Sequence, residues 1–234
     1  MKNKNSSKPS RVKLLFLTFL ILLIPCFAMA TVAAPSYTKG KEYKAVTVSP
    51  SAKAAIQVPK GKVSVVEFFS YGCPWCFHLE PSLEKWLKTK PGYVEFSRVP
   101  VVFEAGWKMY AKAYYTAEAL GILHKITPAI FNAIHVKNES LTSESAMQKF
   151  FEKQGVSKTK FDNAFNFSPG MDMELERGQN LMIAYRIFAV PTLLINGKYY
   201  INAELIKGDD QEMIKVLNYL VKKEKPAATK AGAK

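Results

Sequence analysis

The chain has 234 residues, 48% of them hydrophobic and 22% charged, and a formal net charge of +14. Such a composition suits one globular domain, with or without an insertion, and excludes a collagenous, repetitive or wholly disordered chain. The lysines are scattered, with no nucleic-acid motif and no basic–aromatic interleaving, so no nucleic-acid partner is expected.

Met1 to Lys13 carries five basic residues and no acid. Leu14 to Ile24 is apolar apart from Thr18, Pro25 breaks the run, and Ala28-Met29-Ala30 supplies small residues in an A-x-A arrangement. The pattern predicts a signal peptide over 1–30, cleaved after Ala30. An uncleaved anchor needs about 20 apolar residues, and this run is shorter. A lipoprotein signal at Cys26 is disfavoured by Pro25, which stands where a small residue is needed. Without the five basic residues of this segment the charge falls from +14 to +9, and the three cysteines fall to Cys73 and Cys76. Export implies an oxidising compartment, where disulfides persist. Two cysteines so close in sequence close a very short loop and add little stability.

A possible strand covers Tyr43 to Val48. Val63-Ser64-Val65-Val66-Glu67-Phe68-Phe69 is short, β-branched and aromatic, and reads as a buried central strand. Tyr71-Gly72 then turns the chain, and Cys76, Leu79, Leu83, Trp86 and Leu87 recur at helical spacing, with Pro81 predicting a kink. Pro91-Gly92 ends that unit, and Tyr93 to Phe103 reads as a second strand limited by Pro100. From Ala105 to Ile187 the pattern is mostly helical, with helices expected over Ser143 to Lys153 and Met173 to Tyr185. Turns are expected around Thr127-Pro128 and Ser168-Pro169-Gly170. Thr192 to Ile195, Asn196-Gly197 and Lys198 to Ile201 predict a hairpin. The last helix carries Met213, Val216, Leu217, Leu220 and Val221 on one face, with Asp209 or Asp210 as its cap. The tail, 224–234, is basic, small and polar, and is expected to be mobile.

Cys73 and Cys76 admit three readings. A zinc half-site needs further ligands, and His78, His124 and His135 form no matching pair. An inert local disulfide is the second. The third is a redox pair at a helix N-terminus, where unpaired N–H groups and the helix dipole stabilise a Cys73 thiolate. Cys76, one turn further in, is then the less accessible, resolving thiol. Glu67, in an otherwise apolar strand, is either a partly desolvated carboxylate able to take the Cys76 proton or a solvated residue on an edge strand.

Val66-Glu67-Phe68-Phe69-Ser70, Cys73-Pro74-Trp75-Cys76, Glu80, Val190-Pro191-Thr192 before Asn196-Gly197, and Tyr37 to Tyr43 together resemble the DsbA family of periplasmic disulfide oxidoreductases, within the thioredoxin superfamily. The resemblance implies an α/β thioredoxin fold with an inserted helical domain. It divides the chain into a first thioredoxin-like part over 31–104, a helical insertion over 105–187 and a second part over 188–223. It implies a cis Pro191 facing the cysteines, and a Val190 backbone that pairs with an extended substrate. Pro74, Trp75, Glu67 and Glu80 are implied as redox-tuning residues. It further implies periplasmic disulfide introduction, no cofactor beyond the cysteine pair, and no metal. Unfolded exported polypeptides would be substrates, and a DsbB-like quinone-linked membrane protein the reoxidant. The lowered cysteine pKa and oxidising couple are known properties of DsbA. Trp75 departs from the family's usual histidine and carries no charge to hold a thiolate, so weaker oxidising power is expected. Pro81 departs too. The alternatives are an isomerase or reductase of the same superfamily, and a thiol-independent peptide-binding chaperone. The oligomeric state stays open.

Overall fold

The computed structural model describes residues 36–51, 56 and 58–226; the expected signal peptide and most of the expected mobile tail lie outside them. Five strands form one sheet in the order β1-β5-β4-β2-β3. β2 (Val63–Phe69) is central and buried at every position. It pairs in parallel with β3 (Val94–Pro100) and antiparallel with β4 (Thr192–Ile195). β4 continues antiparallel to β5 (Tyr199–Asn202), which the short β1 (Lys44–Ala45) covers at the edge. β1 realises only two residues of the expected Tyr43 to Val48 strand. The hairpin follows the Asn-Gly signal: Asn196 and Gly197 both take positive φ, 54° and 61°, and Lys198 N–H bonds Ile195 O at 2.9 Å.

α1 (Pro74–Thr89) follows β2 directly, and Pro81 lies inside it without ending it. Leu79, Leu83 and Trp86 of α1 share a core with Val63, Val65, Leu193 and Ile201. α7 (Asp210–Lys223) joins the same core through Met213, Val216, Leu217 and Leu220, and Trp86 Nε1–H donates to Asn218 Oδ1 at 2.9 Å. Asp209 is the cap of α7, its side chain accepting from Glu212 N–H.

Between β3 and β4 the chain forms five helices among the described residues: α2 (Trp107–Ala119), α3 (Leu123–His135), α4 (Glu144–Lys153), α5 (Lys158–Phe165) and α6 (Met171–Ala184). The turn expected at Thr127-Pro128 is absent, because both residues lie within α3. Pro128 removes one backbone bond there. Burial of Ile126, Ile130 and Phe131 offsets that loss, so packing overrides the local signal. Glu224, assigned to the tail by composition, is held to the hairpin by Asn196 Nδ2 at 2.8 Å and Lys198 Nζ at 2.6 Å.

Candidate active site

β2 delivers the chain to Ser70, and a tight turn returns it as α1. Cys73 N–H bonds Ser70 O at 3.1 Å, and Gly72 N–H bonds the Ser70 hydroxyl at 3.1 Å. Gly72 has no substitute here: a Cβ would lie 2.6 Å from Trp107 Nε1 and 2.8 Å from the Tyr110 ring. The insertion thus packs directly on the turn. Cys73 is the N-cap residue of α1, in extended conformation, with Pro74 at the first helical position and no acid in the first turn. A proline there costs nothing, because that N–H has no helical partner.

The cysteines are reduced, and the two thiols differ. Cys76 is wholly buried, and burial pushes its pKa well above the ordinary range. Cys73 keeps only 5% exposure, so its side chain is more enclosed than a freely exposed nucleophile. Its pKa is nevertheless brought down to about 7, first by the hydrogen bond from the Cys76 thiol and then by backbone N–H groups of Cys76 and Trp75, against the effect of burial. Trp75 is 53% exposed and leans one ring edge over Gly208, where a Cβ would come within 3.2 Å of it.

The Val190–Pro191 bond is cis. The Cys73 thiol donates to Val190 O at 3.3 Å, so the loop before β4 meets the sulfur across 117 residues of sequence. Phe188, in the same loop, is 84% exposed.

Glu67 is 1% exposed, on the central strand and not an edge. Parallel register sets it directly opposite Arg98, and Arg98 Nε–H donates to Glu67 Oε2 at 2.6 Å. Glu80, on α1, accepts from Arg98 Nη2 at 2.7 Å, while its Oε1 has no hydrogen-bond partner. Two buried carboxylates therefore share one guanidinium. Burial pushes both carboxyl groups up, Glu80 to about 8; the charge of Glu67 adds to the rise of Glu80, and that of Glu84, one turn further along α1, adds to both. Burial opposes the Arg98 charge, but the two carboxylates outweigh it and hold the guanidinium firmly protonated. Retention of one proton leaves the trio neutral, and Glu80, half unpaired, is its natural holder. Arg98 escaped the sequence reading, although a charge inside Val94–Pro100 is the same signal that exposed Glu67.

Among the described residues no three His, Cys, Asp or Glu side chains gather as a metal site. Cys73, Cys76, Pro74, Trp75, Val190 and Pro191 thus come together at one end of the sheet, while Glu67 and Glu80 lie beneath with Arg98.

Residues 53–215 match the family model described as Thioredoxin. The thiol:disulfide interchange protein DsbA of Pseudomonas aeruginosa is 36% identical over 216 residues, 92% of this chain and 99% of that protein. Its counterpart in Burkholderia cepacia is 41% identical over 200 residues, 83% of this chain and 88% of that protein. The chain belongs to the DsbA family.

The fold agrees with that family's solved structures. The crystal structure of P. aeruginosa DsbA superposes with a TM-score of 0.72 at 34% identity, covering 80% of this chain and 94% of that one. The DsbA of Xylella fastidiosa superposes equally well, 0.72 at 28% identity, over 83% of this chain and all of that one. The α/β thioredoxin fold with a helical insertion is therefore the fold of this chain, and thiol:disulfide oxidoreduction is its activity.

Proposed function

We propose that the chain introduces disulfides into exported polypeptides through Cys73 and Cys76, and that the asymmetry between the two thiols carries the reaction. In the oxidised protein a client thiolate attacks Cys73 Sγ. The Cys73–Cys76 bond breaks, its electron pair leaves with Cys76, and Cys76 takes up a proton. A second client thiolate then attacks the client sulfur of the mixed disulfide and expels Cys73. Two electrons pass from the client to the cysteine pair, and no other cofactor or metal takes part. Cys73 is the better leaving group because its pKa is about 7. Cys76 stays protonated because it is buried.

Glu67, held in place by Arg98 and near enough for its charge to raise the Cys76 pKa, is the acceptor for the Cys76 proton whenever that thiol must attack, with Glu80 storing the proton of the trio. The Val190 carbonyl has two uses. It accepts from the Cys73 thiol when Cys73 is protonated. Ionisation releases it to accept an N–H from a client strand beside Pro191, a form of strand addition. Trp75 and Phe188, both exposed, offer that strand apolar contact.

The setting we infer is the periplasm, reached through the signal segment over 1–30. A DsbB-like quinone-linked membrane protein would remove the two electrons. A reductase or isomerase is the second reading, favoured by one observation: a Cys73 pKa of about 7 falls at the weakly oxidising end of the roughly 3.5 to 7.5 range of such sites.

Trapping the thiols in the native compartment separates the two. The oxidase reading expects a predominantly disulfide-bonded pair, and a mostly reduced pair contradicts it. Purified Cys76→Ser protein, its Cys73 first converted to a mixed disulfide by oxidised glutathione, is expected to exchange with a reduced client: a client thiolate attacks Cys73 Sγ, glutathione leaves as its thiolate, and the Cys73–client disulfide accumulates, seen by mass. A Cys73→Ser, Cys76→Ser double variant that kept full function would favour a chaperone.

A further inference from the structure

Thr127, Phe131 and His135 stand at intervals of four along α3 and therefore share one helix face. All three reach the residues flanking the reactive pair. The Thr127 hydroxyl and the Tyr71 hydroxyl lie 2.9 Å apart, hydrogen-bonded. The Phe131 ring packs edge-on to Tyr71, with centroids 5.1 Å apart. His135 touches both flanks at once: its Nε2–H donates to Tyr71 O at 2.8 Å, and its ring stacks on Phe77 at 5.0 Å with an interplanar angle of 17°. Tyr71 stands two residues before Cys73, and Phe77 one residue after Cys76.

We propose that His135 is a positioning residue, by which the helical insertion locks the Tyr71-Gly72 peptide and so fixes Cys73 at the start of α1. A carbonyl is a strong acceptor and points its negative end wherever no donor restrains it. The Tyr71 carbonyl belongs to the turn that presents the sulfur. With the imidazole N–H on it, the carbonyl is held toward the insertion, and the turn keeps Cys73 over the N–H groups of Trp75 and Cys76. Without that donor the peptide rotates more freely, and the carbonyl dipole competes with the anion. His78 is not placed to replace it, being exposed one turn along α1 beside Trp75.

The inference rests on the reading of Cys73 as the activated thiol. Its test is the rate of Cys73 alkylation by iodoacetamide against pH in the full-length reduced protein. His135→Phe keeps a ring on Phe77 but has no donor, whereas His135→Gln keeps a donor. Far-UV circular dichroism and melting check folding, and His135→Leu replaces His135→Phe if the latter does not fold. His135→Phe is expected to raise the midpoint by about half to one pH unit, the range of one net hydrogen bond. His135→Gln is expected to stay near the wild type. A His135→Phe midpoint equal to the wild type overturns the proposal, as does an equal shift in both variants, which would credit the ring and not the bond. A wild-type protein with no midpoint below the ordinary thiol range fails differently: it removes the activated Cys73 itself, and the proposal falls with it.

Discussion

α1 and α7 lie side by side on one face of the sheet, yet their first turns are built in opposite ways. α7 opens on Asp209, whose carboxylate accepts from Glu212 N–H, with Asp210 and Glu212 adding negative charge in its first turn. Its buried positions are all apolar. α1 opens on Cys73, with no side-chain capping bond and no acid in its first turn, and it buries Glu80 against Glu67 and Arg98. A terminus already satisfied by a carboxylate has nothing left to offer an anion. One left open can hold a thiolate in the same role. The pair therefore separates a helix start that serves stability from one kept available for chemistry.

The largest blow to that contrast is Arg98→Met, which leaves two carboxyl groups buried without their cation. Urea unfolding at neutral pH is expected to show a loss of about 3–5 kcal/mol. Adding Glu67→Leu and Glu80→Leu should restore most of it. Cys73→Ser turns the open terminus into a capped one. It should abolish thiol exchange while raising stability by about 0.5–2 kcal/mol over the reduced parent; an unchanged midpoint would mean that the end of α1 was never short of an acceptor. Asp209→Ala makes the reverse change in α7, with an expected cost of about 1 kcal/mol and unaltered exchange with a reduced peptide. The last prediction concerns pH. A carboxyl with a raised pKa in the fold gives up stability as pH climbs from its unfolded value near 4.5 to its folded value near 8. Glu80→Gln should flatten that decline in melting temperature across the same window, and a parallel decline in the variant would assign it to other groups.

Much of this was legible in the sequence. A short β-branched and aromatic run marked β2, the Asn196-Gly197 pair marked the hairpin, and helical spacing from Cys76 to Leu87 marked α1, because each signal is local. Pro128 misled because its cost is local while the burial of α3 that offsets it is tertiary. At the site, Glu67 stood out as a charge in an apolar strand, but its partner depended on the register of β2 on β3, which no local pattern prints. The grip of His135 on Tyr71 is likewise invisible, since it joins residues 64 apart and turns on one ring nitrogen.

The five-helix insertion has a consequence for the making of the molecule. It separates the loop bearing Val190 from the sulfur it meets by 117 residues, and β4 can pair with β2 only after that whole length has been synthesised. A chain interrupted before residue 190 holds both cysteines but lacks the strand and carbonyl that complete their surroundings. Pairing of such high contact order forms late in folding. The catalyst is thus assembled last, and its own unfinished forms are poor at the trade it plies on others.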